Sequence, residues 1–382
     1  MAPNILLTGV NYNNKGAELM LLAMVEHFRS EFPQAKLVCG FGSVYEDRVR
    51  EGLYQLAARS RGRLTQLFEW LPAKTRQEWG IILPKEINVV VDASGFAFGD
   101  QWSSQYVRSE SARCLNCKKY GARLVMMPQA FGPFTKPEIR ETCSELLSQA
   151  DLIFPRDKES YTHVCGLLSN SNITGKVHQA PDFTNLVQGF VPQSFDDTLR
   201  GAVGVLPNEK MTAKKSEEDA KKYIDFLLHV LQRMQDKGIP HFILCHQNED
   251  RKVVDILSAK IDTMPPVIVE SNALFIKGIL GTCRFLVGSR FHGLVNGLSQ
   301  GVPCICTSWS HKYEALFEDY HCSEYLVSDL SVLDRVDSLL ETLLDESTYR
   351  TACHNIKTQS EKYKEESVNT WKIIDDFIRK II

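Results

Sequence analysis

The sequence predicts an α/β protein made of two domains, each a parallel sheet covered by helices. Three observations lead there. Short β-branched runs alternate with longer helical stretches through both halves of the chain, the rhythm that strand–helix–strand units impose on parallel sheets. The length of 382 residues exceeds what one hydrophobic core usually serves, and two domains of about 150–200 residues are expected. Periodicity lapses over Gln188–Arg200, which carries Pro192 and the consecutive Asp196 and Asp197, and this marks a hinge.

In the first half the strands are expected at Asn4–Thr8, Lys36–Cys39, Ile87–Asp92, Arg123–Met127 and Leu152–Phe154, with helices at Glu18–Glu31, Gln105–Tyr120 and Glu138–Gln149. In the second half they fall at Ala202–Leu206, His241–Cys245, Val267–Val269, Phe285–Gly288 and Pro303–Thr307. Its helices are expected near Glu217–Lys237, Glu249–Ile261, Asn272–Gly281, His292–Gln300 and Val332–Leu344. The domains are therefore set at 1–190 and 201–350. A helix over 351–382 follows, for which a return onto the first domain is one available path.

Composition narrows the function. With 43% hydrophobic and 24% charged residues the chain is an ordinary globular one. A formal net charge of -3 gives no global attraction to nucleic acid or to an anionic membrane, so any anion site must be local. The N-terminus reads as a first strand and not as a signal peptide, and no uncharged apolar run reaches the roughly 18 residues a bilayer span needs. The 11 cysteines are an odd number spread along the chain, which argues for reduced thiols in the cytoplasm. Cys114 and Cys117 have the spacing of half a metal site, but no second pair follows at the matching distance and the segment reads as helix; no metal is expected.

Ligands of open parallel sheets bind beyond the carboxyl ends of the strands, so motifs at those ends carry most of the information. The most informative is Phe285-Leu286-Val287-Gly288-Ser289-Arg290-Phe291-His292-Gly293-Leu294. Here a strand runs through Gly-Ser into a helix start, where unpaired amides and the positive end of the helix dipole point outward. Arg290 offers a guanidinium fork for a carboxylate or phosphate, and His292 a group that exchanges protons near neutral pH. The bland alternative is a structural salt bridge beside a core histidine. Lys312 follows the next strand as a second cation on the same rim, or as a plain surface lysine.

Candidates in the first half are weaker. Gly9-Val10-Asn11-Tyr12-Asn13-Asn14-Lys15-Gly16-Ala17-Glu18 joins strand to helix as an amide-rich turn but lacks the spacing of a dinucleotide fingerprint or P-loop. Glu18 also sits where any carboxylate gains from the helix dipole. Asp100, in the glycine-rich loop after Val89-Val90-Val91-Asp92, is read either as a general base or as a cap. Gln129 lies in another strand-end loop, and Phe154-Pro155-Arg156-Asp157 places Arg156 after a strand with Asp157 at an N-cap. Arg59-Ser60-Arg61-Gly62-Arg63 reads as a solvated loop or as a contact for an anionic acceptor.

As an ordered set these segments resemble the polysaccharide pyruvyl transferase family. The resemblance rests on Asn14-Lys15-Gly16-Ala17-Glu18, Pro128-Gln129-Ala130-Phe131-Gly132-Pro133, Arg156-Asp157-Lys158-Glu159-Ser160, Pro181-Asp182, Arg290-Phe291-His292-Gly293 with Gly301-Val302-Pro303 behind it, and Lys312. It implies a GT-B-like fold of two Rossmann-like domains facing a central cleft, with the donor on the C-terminal side. It also implies transfer of a pyruvyl group as a ketal from phosphoenolpyruvate, without a metal or other cofactor. The family's Arg-x-His motif falls on Arg290 and His292, and its loop aspartate on Asp100. His292 and Asp100 are then the catalytic pair, and Arg290, Phe291, Lys312, Arg156 and Lys210 hold the donor. Asn14, Gly16, Glu18 and Gln129 lie toward a glycan or lipid-linked sugar acceptor. Ala17 departs from the family's usual acidic residue, and Ser94-Gly95-Phe96-Ala97 from its glycine run. Pro207-Asn208-Glu209-Lys210 stands where some members carry a donor-binding arginine. Two other readings stay open, a GT-B glycosyltransferase using a nucleotide sugar and a non-catalytic relative, and so does assembly into a homo-oligomer.

Overall fold

The computed structural model describes residues 2–40, 45–57, 68–168, 173–213, 215–307 and 311–381. The chain divides into two units, one running to Phe183 and resuming at Glu366, the other spanning Thr184–Glu365. The basic cluster Arg59–Arg63 lies outside the described residues, as do Trp309 and Ser310.

Among the described residues the first unit holds seven strands: β1 (Asn4–Thr8), β2 (Lys36–Cys39), β3 (Tyr54–Leu56), β4 (Ile81–Ile82), β5 (Val89–Asp92), β6 (Arg123–Gln129) and β7 (Leu152–Pro155). Their order is β4-β3-β2-β1-β5-β6-β7, and every pairing is parallel. Both faces of the central strands are covered, so β5 is buried at all of its residues and is an unbroken apolar run closed by one aspartate. Strand order reverses between β1 and β5, the topological switch point.

The second unit holds β8 (Val203–Leu206), β9 (His241–Cys245), β10 (Val267–Val269), β11 (Leu286–Gly288), β12 (Cys304–Thr307) and β13 (Leu326–Val327). They form a parallel sheet in the order β10-β9-β8-β11-β12-β13. Its switch point lies between β8 and β11. The core is built from β8, β9, β11 and β12 against Tyr223, Phe226, Leu227, Val230 and Leu231 of the helix Glu217–Asp236.

Every strand expected from the sequence is present with small shifts at its ends. Strands β3, β4 and β13 were not expected. They have three, two and two residues, too short for a period of two to register. The division of the chain also differs from the sequence reading. The stretch read as a hinge packs inside the second unit, where the Phe190 N–H bonds to Leu274 O at 3.0 Å. A Cβ on Gly189 would stand 2.4 Å from Gly278 N, so two glycines permit this approach. The last helix runs unbroken over Glu346–Arg379. Ser360 Oγ donates to Ser299 O (2.7 Å) in the second unit. In the first, Trp371 stacks on His27 at 3.8 Å and His27 Nε2 meets Asp375 Oδ1 at 2.9 Å.

Candidate functional site

In the second unit the chemistry-bearing residues gather at the carboxyl ends of β8, β9, β11 and β12. Gly288 closes β11 against β8 so tightly that a Cβ there would stand 2.7 Å from both Leu206 Cβ and Leu206 O. The next residue, Ser289, is fully buried and its polar atoms are spent on fixing the turn. Its carbonyl accepts from Asn208 Nδ2 (2.6 Å) and from the Tyr313 hydroxyl (2.8 Å). Its hydroxyl bonds to Tyr223 OH at 2.7 Å, and that oxygen also accepts the Asn208 N–H at 2.9 Å. These bonds tie the loops after β8 and β11 to two separate helices.

Arg290 is the N-cap of the helix Phe291–Leu298, and its carbonyl accepts the Leu294 N–H at 2.9 Å. Its side chain turns toward Asp250, which follows β9 and is fully buried. Nε lies 3.1 and 2.9 Å from the two carboxylate oxygens, and Nη2 bonds to Oδ1. Asp250 also accepts the backbone N–H groups of Glu209 (3.0 Å) and Gln247 (2.9 Å). Burial pushes the Asp250 carboxyl upward, and the Arg290 charge works against that rise.

Phe291 is buried, with its ring edge-on to His292 at 5.5 Å and to Tyr313 at 5.6 Å. Lys312 Nζ stands over the Phe291 ring at 4.8 Å and 5.4 Å from the Tyr313 ring. His292 is half-buried in the first turn of the helix. Gly293 lets that turn lie against the neighbouring strand ends, since a Cβ there would stand 2.6 Å from Leu206 Cδ2 and 3.4 Å from His246 Cδ2. Lys210 opens the short helix Lys210–Ala213 after β8, its N–H bonded to Asn208 Oδ1 at 3.1 Å. Four of the expected residues, Arg290, Phe291, His292 and Lys312, thus share the rim of β11 and β12, with Lys210 on the adjacent strand end.

Sequence reasoning missed Asp250, Asn208, Tyr223 and Tyr313. Asp250 and Asn208 follow the strands β9 and β8 and so occupied the positions that deserved search. Tyr223 and Tyr313 lie on helices, where an aromatic residue reads as core.

In the first unit the candidates carry internal partners. Asn14 is a helix cap, its Oδ1 accepting from Gly16 N (3.0 Å) and Ala17 N (3.2 Å), which also fixes Gly16 in the first turn. Glu18 pairs with Lys15 at 2.6 Å. Gln129 is fully buried and donates from Nε2 to Asp92 Oδ2 at 3.0 Å. Arg156 is buried beside Asp182 at 3.2 Å, in a different unit from the other donor candidates. Asp157 caps the following helix by accepting the Ser160 N–H at 2.7 Å.

Asp100 accepts from Thr135 N (2.7 Å), Thr135 Oγ1 (2.6 Å) and Lys136 N (3.2 Å). Burial alone would raise its carboxyl, but these donors and the Lys136 charge hold it below the usual value. A carboxylate stabilised in its charged form is a poor proton acceptor, so this geometry weighs against the base. Nor is Asp100 a helix cap, since Ser103 is the N-cap of the helix Ser104–Leu115 and the bonds of Asp100 go to the turn before the helix Pro137–Gln149. Cys114 and Cys117 are core residues. Burial raises both thiols, Cys117 to about 12, which is the opposite of what a ligand or redox pair needs.

At the switch point of this unit Asp92 ends β5 with 1% exposure. Ser94 Oγ donates to its Oδ1 at 2.7 Å, and Ser94 lies directly against Gly9 at the end of β1.

With both sheets and their strand-end residues placed, the chain can be set beside known proteins. Residues 14–311 match the polysaccharide pyruvyl transferase family. The chain belongs to that family. The matched range begins at the Asn14 cap, takes in Arg290 and His292, and stops one residue short of Lys312. Among solved structures, the UDP co-structure of MnaA from S. aureus is similar at 12% identity and a TM-score of 0.63, over 100% of this chain and 98% of that one. The structure of Alr3699/HepE from Anabaena in complex with UDP and glucose gives 11% identity and a TM-score of 0.58, over 99% and 100% of the two chains. Trehalose-6-phosphate synthase OtsA gives 10% identity and a TM-score of 0.54, over 100% and 99%. At such identities the likeness is one of fold: this pyruvyl transferase family member has the two-Rossmann-domain fold of the GT-B enzymes.

Proposed function

We propose that this protein moves a pyruvyl group from phosphoenolpyruvate to two hydroxyls of a sugar-containing acceptor, a glycan or a lipid-linked sugar, closing a ketal. Family membership supports the reaction class, and one observation supports the donor. Among the described residues Asp250 engages the Nε–Nη2 edge of Arg290, whose side chain keeps 11% exposure, and in this reading the Nη1–Nη2 fork at the start of the helix Phe291–Leu298 meets the donor. That fork suits a carboxylate or a phosphate, and phosphoenolpyruvate carries both. The helix start and Lys312 supply the second anion contact.

In this reading His292, as imidazolium, protonates the methylene carbon of phosphoenolpyruvate, and the adjacent carbon becomes electrophilic. An acceptor hydroxyl adds there and passes its proton to the imidazole of His292, left neutral by the first step. Phosphate departs with its bonding pair, a second hydroxyl closes the ring, and its proton leaves on the phosphate. Arg290 orients the donor through its carboxylate or phosphate. Asp100 is not given the base role, for the reason above.

A nucleotide-sugar donor is less well supported. The two side chains beyond His292 nearest to where a ribose contact would fall are Asn296, which is buried, and Gln300, whose Nε2 is spent on Lys277 O and Asn296 O at 2.8 Å each. The test pairs binding with turnover. Phosphoenolpyruvate should raise the melting temperature and uridine diphosphate should not, and phosphate should appear only when a glycan acceptor is added. His292→Ala should abolish phosphate release with the circular dichroism spectrum unchanged. Stabilisation by uridine diphosphate alone, or full turnover by that variant, refutes the reading.

A further inference from the structure

We propose that Asp250 is the positioning residue of the donor site, fixing which edge of Arg290 faces the substrate; this rests on the phosphoenolpyruvate reading above. A side chain as long as arginine has many rotamers, and holding one of them costs conformational entropy that binding would otherwise have to supply. Asp250 removes that freedom. It engages Nε and Nη2 together, and a two-point contact fixes the plane of the guanidinium as well as its place. The carboxylate is itself immobile, because backbone N–H groups from the loops after β8 and β9 hold its two oxygens. One buried side chain therefore ties together three adjacent strand ends, those of β9, β8 and β11, and the arginine is set in place before substrate arrives.

Orientation and charge make opposite predictions here, which makes the proposal testable. Asp250 places a negative charge beside the cation that is to bind an anionic donor. By charge alone, Asp250→Asn should tighten donor binding. By positioning, it should loosen it, because whichever oxygen becomes an NH2 group then faces a backbone N–H and the guanidinium, donor against donor, and a misplacement of about 1 Å can cost about 10²-fold in rate.

The experiment measures kcat and KM for phosphoenolpyruvate in the wild type, in Asp250→Asn, in Arg290→Ala and in the double variant, each checked by circular dichroism. We expect Asp250→Asn to lower kcat/KM by about 10- to 100-fold, mostly through KM. In the Arg290→Ala background the same change should have no further effect, because Asp250 acts through Arg290. Should Asp250→Asn fail to fold, the Arg290→Ala protein alone decides. Methylguanidinium should occupy the slot that Asp250 defines and restore phosphate release in a saturable way, whereas ethylammonium at the same concentration should not. A lower KM in Asp250→Asn, an equal loss in both backgrounds, or no rescue by methylguanidinium overturns the positioning role while leaving the donor assignment standing. A wild type that does not turn over phosphoenolpyruvate removes both.

Discussion

Replacing Gly9 by alanine isolates the cost of the closest backbone approach in the first unit. Two penalties act there. Gly9 has φ +79°, a left-handed conformation that costs a side-chain-bearing residue roughly 1–2 kcal/mol. Alanine recovers about 0.4–1 kcal/mol by restricting the unfolded chain. The second penalty is steric: a Cβ on Gly9 would stand 2.2 Å from Ser94 Oγ, 2.5 Å from Ser94 N and 2.7 Å from Ser94 Cα. Backbone cannot rotate aside as a side chain can, and overpacking of this kind costs typically about 1–3 kcal/mol. Gly175 is the matched control. Its φ is +76° in the same unit, and among the described residues nothing lies within 4 Å of the corresponding position. Gly175→Ala should therefore cost about 0.5–1 kcal/mol and Gly9→Ala about 2–4 kcal/mol. Urea unfolding followed by circular dichroism reads both. Equal losses would show that the β1–β5 loops separate freely, and the steric argument would fail.

Two further perturbations probe this unit. Arg76, with 5% of its side chain exposed, makes a two-point contact to Glu86 at 2.6 and 2.9 Å and donates from Nε to Leu71 O at 3.2 Å. Arg76→Ala should cost about 2–3 kcal/mol in urea unfolding, less than the 3–5 kcal/mol of a fully buried pair because Glu86 keeps 22% exposure; a loss under about 0.5 kcal/mol would place the pair among surface bridges. Asp92 is pushed above its usual 3.8 by burial, against the bonds from Gln129 and Ser94. A raised pKa means that the native state holds the proton longer. Its contribution is full below about 3.8 and is lost as pH rises through the folded value. Asp92→Asn should flatten the fall in unfolding free energy over that window, and parallel curves for the two proteins would contradict the assignment.

The fold was legible because burial on both faces leaves a coarse mark in sequence. Strand β5 reads Val-Val-Val-Asp and β11 Leu-Val-Gly, each an apolar run ending at a turn signal. The site was legible in part, for a different reason. Arg290 and His292 stand out because a strand, a Gly-Ser turn and a helix start coincide there, a purely local pattern. Partners do not show locally. Asp250 is 40 residues from Arg290, Gln129 is 37 from Asp92, and Asp100 is 35 from Thr135. Each pair meets at neighbouring or next-neighbouring strand ends, a proximity that only the sheet order reveals. Whether a strand-end carboxylate or amide faces substrate or holds a neighbouring loop depends on that order. Asp100, Gln129 and Asn14 looked available in sequence for this reason and are engaged in the fold. The hinge was misplaced by the same logic, since Gly189 and Gly278 permit a long-range contact that no local composition announces.

Pairing between Arg290 and Asp250 has a consequence for how an anionic donor is held. The pair is formally neutral, so the net positive charge at this rim comes from the helix start, about half an elementary charge, and from neighbouring cations. Lys312 is held where it matters, its ammonium 4.8 Å from the Phe291 ring, an arrangement worth about 0.5–1 kcal/mol that keeps the charge at the first residue of the helix. A unit charge about 6 Å from an anion, at an effective dielectric constant of about 20, contributes about 2–3 kcal/mol before salt screening. Lys312→Met keeps the apolar stem and removes the charge. KM for phosphoenolpyruvate should rise at least about tenfold, which corresponds to about 1.4 kcal/mol, while kcat stays within about twofold, because the charge binds ground state and transition state alike. Added salt should raise the wild-type KM more steeply than that of the variant. An unchanged KM, or a loss confined to kcat, would mean that Lys312 is a packing residue whose charge the donor never meets.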